Sequence, residues 1–167
     1  MIVQKSTEKW FYQMTQDIRK LFSYRLTLLE RANEKDGQKF LMKVGHGLSL
    51  GEWRTLAVIR ALQPCTLRSL AAEGFLDEGQ MSRMVKQLVE YKLIQRQASS
   101  SDRRALRLTL TSAGETLYQQ VIETVVAAND KTLAVLSSHE GAALLDMLDR
   151  LLQGIREQED SGQTSMA

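Results

Sequence analysis

Cysteine, proline and histidine are nearly missing from this chain. A single cysteine, Cys65, among 167 residues leaves no internal disulfide to form, and a reducing cytoplasm is the expected setting. That cysteine and two distant histidines, His46 and His139, do not make the usual zinc set. Pro64 is the only proline, so little in the sequence interrupts a helix. No apolar run reaches the length of a membrane span, and Lys5, Glu8 and Lys9 break up the apolar core that a signal peptide needs. A glycine-rich phosphate loop and a G-x-S-x-G elbow are both lacking. The expectation is a protein that is not an enzyme, with no metal, no cofactor and no membrane partner.

What is present is an ordinary globular balance, 43% hydrophobic and 25% charged residues, with one region set apart by charge. The net charge is only +2. Between Gly79 and Arg107, however, seven basic residues (83, 86, 92, 96, 103, 104 and 107) face two acids, Glu90 and Asp102. Positive charge is therefore concentrated in one short stretch, the footprint expected of a surface that meets a polyanion.

That stretch has a readable local structure. Thr66 can cap a short helix through Leu67, Leu70 and Ala71, the Gly74-Phe75 region interrupts it, and Asp77 can cap a second helix. In the second helix Met81, Met84, Val85 and Leu88 follow the i, i+3, i+4, i+7 spacing of a buried stripe. The opposite face carries Gln80, Ser82, Arg83, Lys86 and Gln87, side chains able to bond base edges and phosphates. Two helices joined by so short a turn form a helix-turn-helix. Leu93 to Gln97 and Ala105 to Leu110 then read as a hairpin whose second strand alternates, with Leu106, Leu108 and Leu110 on one side. Ser101-Asp102-Arg103-Arg104 lies at its tip, and Arg107 follows on the outer face.

Helix, turn, helix, strand, an Asp-x-Arg tip and a strand ending in Leu-Thr-x-x-Gly (Leu110 to Gly114) together resemble the winged helix-turn-helix of the MarR family. The run from Gly79 to Val89 is also similar to that family's recognition helix. The resemblance is close over about 48–118 and extends to the terminal helices only in pattern. In one departure Lys92 stands where relatives usually have glycine. The resemblance implies a mainly α fold with a small β wing, and a regulator that binds double-stranded DNA as a homodimer on an inverted repeat. It also implies repression relieved by a small aromatic or anionic effector held between the DNA-reading and dimer regions. Tyr24, His46, Trp53, Arg54 and Tyr118 are the polar-tipped candidates near that junction.

Elsewhere the chain reads as long helices. A first helix is expected over about 6–30, ending or bending before the charged stretch Glu34 to Lys39 with its Gly37. Ser49 and Glu52 form a capping box flanked by a Leu48/Trp53 staple, which opens a helix that Pro64 stops. Thr111 caps another toward Leu136, and Ser137 with Glu140 opens a last one, rich in leucine. The expected division is 1–47 for an N-terminal dimerisation helix and connection, and 48–110 for the DNA-binding domain. C-terminal dimerisation helices follow over 111–158, with a flexible tail over 159–167.

Two other readings stay open at this point. A winged helix can serve purely as a protein-interaction module, though such a module has no need of Arg103, Arg104 and Arg107 beside Arg83. A redox-responsive regulator built on Cys65 is the other, with only Arg68 nearby in sequence to lower the thiol's pKa.

Overall fold

The computed structural model describes residues 17–44, 47–73, 77–98 and 106–164. The chain divides into two compact units, Met1–Val121 and Ile122–Ala167. In the first unit Asp17 caps a short 3-10 turn, Ile18–Lys20, by accepting from the Arg19 amide. Helix α1 then spans Phe22–Val44. It passes straight through Glu34 to Lys39, where a break was expected. A mid-helix glycine costs only about 1 kcal/mol relative to alanine, and here tertiary contacts outweigh it. A Cβ placed on Gly37 would stand 3.4 Å from the Leu50 side chain, Gln38 Oε1 accepts from the Leu50 amide at 3.2 Å, and Leu41 is buried. The expected N-terminal part of this helix, with Trp10 and Met14, lies outside the described residues.

Helix α2, Leu50–Leu62, begins as its sequence dictates. Ser49 Oγ accepts from the Glu52 amide while the Glu52 carboxylate accepts from the Ser49 amide at 2.6 Å, and both staple residues, Leu48 and Trp53, are buried. Helix α3, Leu67–Ala71, is capped by Thr66, and α4, Glu78–Glu90, by Asp77. Met81, Val85 and Leu88 of α4 are buried and Met84 is half-buried. The expected stripe is therefore the inner face, and α4 packs on both α2 and α3.

The end of α4 explains the lysine found where glycine is usual. The Leu93 amide donates to the Leu88 carbonyl at 3.0 Å and the Lys92 amide to the Val89 carbonyl at 2.9 Å. This pair of bonds is a Schellman closure, which demands a left-handed residue between helix and exit. Lys92 adopts it, with φ 58°. The chain thus keeps the turn geometry and accepts the Cβ crowding that glycine avoids.

Strands β1, Ile94–Ala98, and β2, Leu106–Leu110, pair antiparallel from Ile94 opposite Leu110 to Ala98 opposite Leu106. The free edge of β2 is also occupied. Cys65 and Leu108 exchange both backbone bonds, at 3.2 and 2.7 Å, and Gln63 Oε1 accepts from the Leu110 amide at 2.8 Å. Leu108 is buried and Leu110 half-buried, but Leu106 is 51% exposed. The alternation is right in phase, yet Leu106 stands at the end of the strand nearer the hairpin loop, where the core no longer covers it.

Helix α5, Ser112–Leu133, starts against the base of the hairpin. Thr111 Oγ1 accepts from the Gly114 amide at 3.1 Å as a cap, while the same hydroxyl lies 2.7 Å from the Lys92 carbonyl. The Thr111 amide donates to the Leu93 carbonyl at 3.0 Å. A Cβ on Gly114 would stand 2.0 Å from that Leu93 oxygen. The Thr-x-x-Gly spacing therefore has a physical origin: threonine caps the helix and ties it to the wing, and only glycine lets them meet so closely.

In the second unit the end of α5 is followed by α6, Ser138–Thr164. Ser137 and Glu140 form the expected capping box, with the Ser137 amide donating to Glu140 at 2.8 Å. The helix runs into the stretch expected to be a tail. Leu145, Met147, Leu151, Leu152 and Ile155 are each about half exposed.

Candidate nucleic-acid interface

The outer face of α4 is the best-defined part of the site. Asp77 Oδ1 accepts from the Gln80 amide at 2.8 Å, so the helix begins where the sequence placed it, with the free amides and positive dipole end of its first turn at the same end as Gln80, Ser82 and Arg83. Ser82, Arg83 and Lys86 are exposed, whereas Gln80 and Gln87 are half-buried flanks. Lys86 lies 3.9 Å from Glu90 on an exposed surface, a loose pair that leaves its charge available. Five of the nine DNA-contact candidates thus share one helix and one side of it.

The wing divides the other four. Asp102, Arg103 and Arg104 lie outside the described residues. Arg107 is half-buried, and its Nη1 donates to the Pro64 carbonyl at 3.4 Å, so its side chain lies along the stem of the hairpin.

The effector candidates are only partly brought together. Trp53 and Tyr118 stack with centroids 5.5 Å apart, and the Arg60 guanidinium covers the Tyr118 ring at 4.2 Å. Trp53 is buried, so its ring serves as core. Arg54 instead approaches Glu34 of α1, at 3.9 Å. Tyr24 sits half-buried in the first turn of α1, and His46 lies outside the described residues. A groove of about 440 Å³ beside the Arg54–Glu34 pair is lined by Arg31, Glu34, Lys35, Gln38 and Leu50.

Sequence reasoning missed Arg60. Its Nε donates to both Glu115 oxygens, at 3.0 and 3.2 Å, its Nη2 lies 2.9 Å from Oε1, and Gln119 adds a third donor at 3.0 Å. The Gln119 amide and the Arg60 guanidinium hold the Glu115 carboxyl below the usual carboxylate range. The only signal available was that Trp53 and Arg60 lie seven apart on one face of α2. Cys65 was seen, and burial pushes its thiol pKa up, the opposite of what a sensing thiolate needs. Among the described residues no cluster of three metal-binding side chains occurs, and no helix is long and apolar enough to cross a membrane.

Comparison with known proteins accords with this arrangement. Residues 48–106 match the model of the MarR family. The HTH-type transcriptional regulator BilQ of Clostridium symbiosum (strain WAL-14163) is 32% identical over 105 residues, which cover 63% of this chain and 73% of that one. The fold matches a MarR/EmrR family regulator from Acinetobacter sp. ADP1 at TM-score 0.77 and 22% identity, over 84% of this chain and 99% of the other. It also matches MepR of S. aureus, solved as a DNA complex, at TM-score 0.72 and 19% identity, over 80% and 98%. With its helix-turn-helix, wing and exposed basic helix face in place, the chain belongs to the MarR family of transcriptional regulators.

Proposed function

We propose that the chain is a homodimeric repressor that reads an inverted-repeat operator with α4 in the major groove and the hairpin tip against the flanking minor groove. The observation that carries this reading is the two-sided character of α4: Met81, Val85 and Leu88 hold it to the body while Ser82, Arg83 and Lys86 stand exposed on the other side. A helix presented in this way can enter the groove without disturbing its own packing. The MepR complex with DNA, on the same fold, supports the assignment. In the division of labour proposed here, 48–110 reads DNA and the flanking segments, 1–47 and 111–158, assemble the dimer. Two stripes support the assembly, Ile18, Phe22, Leu26 and Leu29 near the N-terminus and Leu145, Leu151, Leu152 and Ile155 on α6, because water-facing leucines at helical spacing need a covering surface.

Within this reading, Arg83 reads bases and Lys86 neutralises phosphate. At the tip, Asp102 orients Arg104, which responds to groove width, with Arg103 beside it. A small anionic effector would act through the groove beside Arg54, where Arg31 and Lys35 supply positive charge. The test is a pair of titrations against an operator duplex, recovered from genomic DNA by the protein itself, and a random duplex. Arg83→Ala should lose about 1–3 kcal/mol of discrimination between them, and Lys86→Ala should weaken both alike. Equal loss on both duplexes for Arg83→Ala would refute the base-reading role.

A further inference from the structure

Glycine is a poor helix former, so a glycine inside a helix calls for a reason in its surroundings. Gly114 has its reason within the fold, in the Leu93 carbonyl. Gly79, the second residue of α4, does not. It is exposed, its φ is not positive, and a Cβ built on it would meet only the Asp77 cap oxygen, at 3.2 Å, among the described residues. The position of this gap gives it a meaning. Gly79, Arg83 and Lys86 follow the spacing i, i+4, i+7, the same spacing as the buried Met81, Val85 and Leu88, displaced by two residues. Two residues are about 200° of turn in an α-helix, so the two stripes lie back to back. The face turned away from the body therefore runs from bare backbone at Gly79 to a guanidinium at Arg83 and an ammonium at Lys86. A helix position that faces only water is better served by alanine, glutamate or lysine, whereas a bare one suits a surface that something else approaches closely.

We infer that Gly79 is a specificity-determining position: the space left by its missing side chain seats the C5-methyl group of a thymine, which adds a thymine to the half-site near the guanine read by Arg83. This rests on the reading of α4 as the helix that enters the major groove. There the N-terminal residues of a recognition helix come nearest the base edges, and the thymine methyl is the apolar group among the donors and acceptors they meet. A long side chain at position 79 would hold the helix off that methyl, and a bare Cα lets the two touch. From Gly79 to Arg83 is about 6 Å along the helix axis at ~1.5 Å per residue. Successive bases rise by about 3.4 Å, so the thymine should fall within about two base pairs of that guanine.

The experiment recovers duplexes from a random-sequence pool with the full-length protein and with its Gly79→Ala and Arg83→Ala variants. The wild type should return half-sites with thymine at one fixed position near the guanine. Gly79→Ala should return the same half-site with the thymine preference lost at that position alone. It should bind the wild-type duplex about ten-fold more weakly, the effect of one methyl group pressed against another. The wild-type duplex is then remade with deoxyuridine, which is thymine without its methyl, at that position. On this duplex Gly79→Ala should come within about two-fold of the wild-type protein, a pairwise rescue that loss of folding or of the Asp77 cap cannot imitate. Equal weakening of Gly79→Ala on the thymine and deoxyuridine duplexes, or an unchanged thymine preference, overturns the inference while leaving the groove reading intact. An Arg83→Ala variant that keeps the full wild-type half-site overturns the groove reading, and this inference with it.

Discussion

The two compact units treat their leucines in opposite ways. Every buried apolar side chain among the described residues lies between Leu41 and Val121, with Leu56, Ile59, Leu70, Met81 and Leu88 wholly covered. Past Ile122, Val126, Leu145, Met147, Leu151, Leu152 and Ile155 are each about half exposed, and Val135 is 86% exposed. The first unit has a core of its own, closed by backbone at the wing stem. The second is two helices whose apolar faces are left open. Covering an apolar side chain is worth about 1.5–3 kcal/mol, so faces like these are held in reserve for another surface. Under the proposed dimer, folding and assembly would fall to different leucines.

The sharpest way to break that comparison is truncation on each side. Leu56→Ala should cost about 2–5 kcal/mol in denaturant unfolding, whatever the protein concentration. Leu152→Ala should act through the monomer–dimer balance, so its loss of stability should be full where the wild type is dimeric and should fade as the protein is diluted below the dissociation constant. A concentration-independent loss as large as that of Leu56→Ala would show that α6 has a core of its own. Next in size is Gly114→Ala, whose methyl would collide with the Leu93 carbonyl; a loss of about 3 kcal/mol is expected, read from the unfolding midpoint. Gly154 of α6 meets nothing within 4 Å. Gly154→Ala should therefore raise helix stability by up to about 1 kcal/mol, and weaker association in sedimentation would reveal a partner helix in close approach. Smallest is Lys92→Gly, which relieves the left-handed turn after α4 and should add about 0.5–1 kcal/mol to unfolding stability.

What could be read in advance was whatever the chain decides within a few residues. The caps at Ser49, Thr66, Asp77, Thr111 and Ser137 all hold, because each rests on one side chain and an amide two or three positions away. The inner and outer faces of α4 were legible for the same reason, since one period settles both. Contacts from far along the chain were not. Gly37 and the charges around it pointed to a break, and only Leu50, held by Gln38, explains why α1 continues. Trp53 and Tyr118 suggested a pocket wall, and their distance in sequence gave no sign that they would stack on each other beneath Arg60. The Arg60–Glu115 bridge joins residues with no common local pattern, so no periodicity could announce it.

Cys65 leaves the chain with a built-in clock. The residue is 3% exposed, its thiol pKa is raised by burial, and its backbone is bonded to Leu108 on the second strand of the wing. A thiol reagent can reach it only when that strand edge opens, so the rate of labelling counts openings of the wing stem in a protein with no other sulfhydryl to confuse the signal. Bound DNA that grips the hairpin tip would slow the clock, and DNA held by α4 alone would leave it running at its free rate.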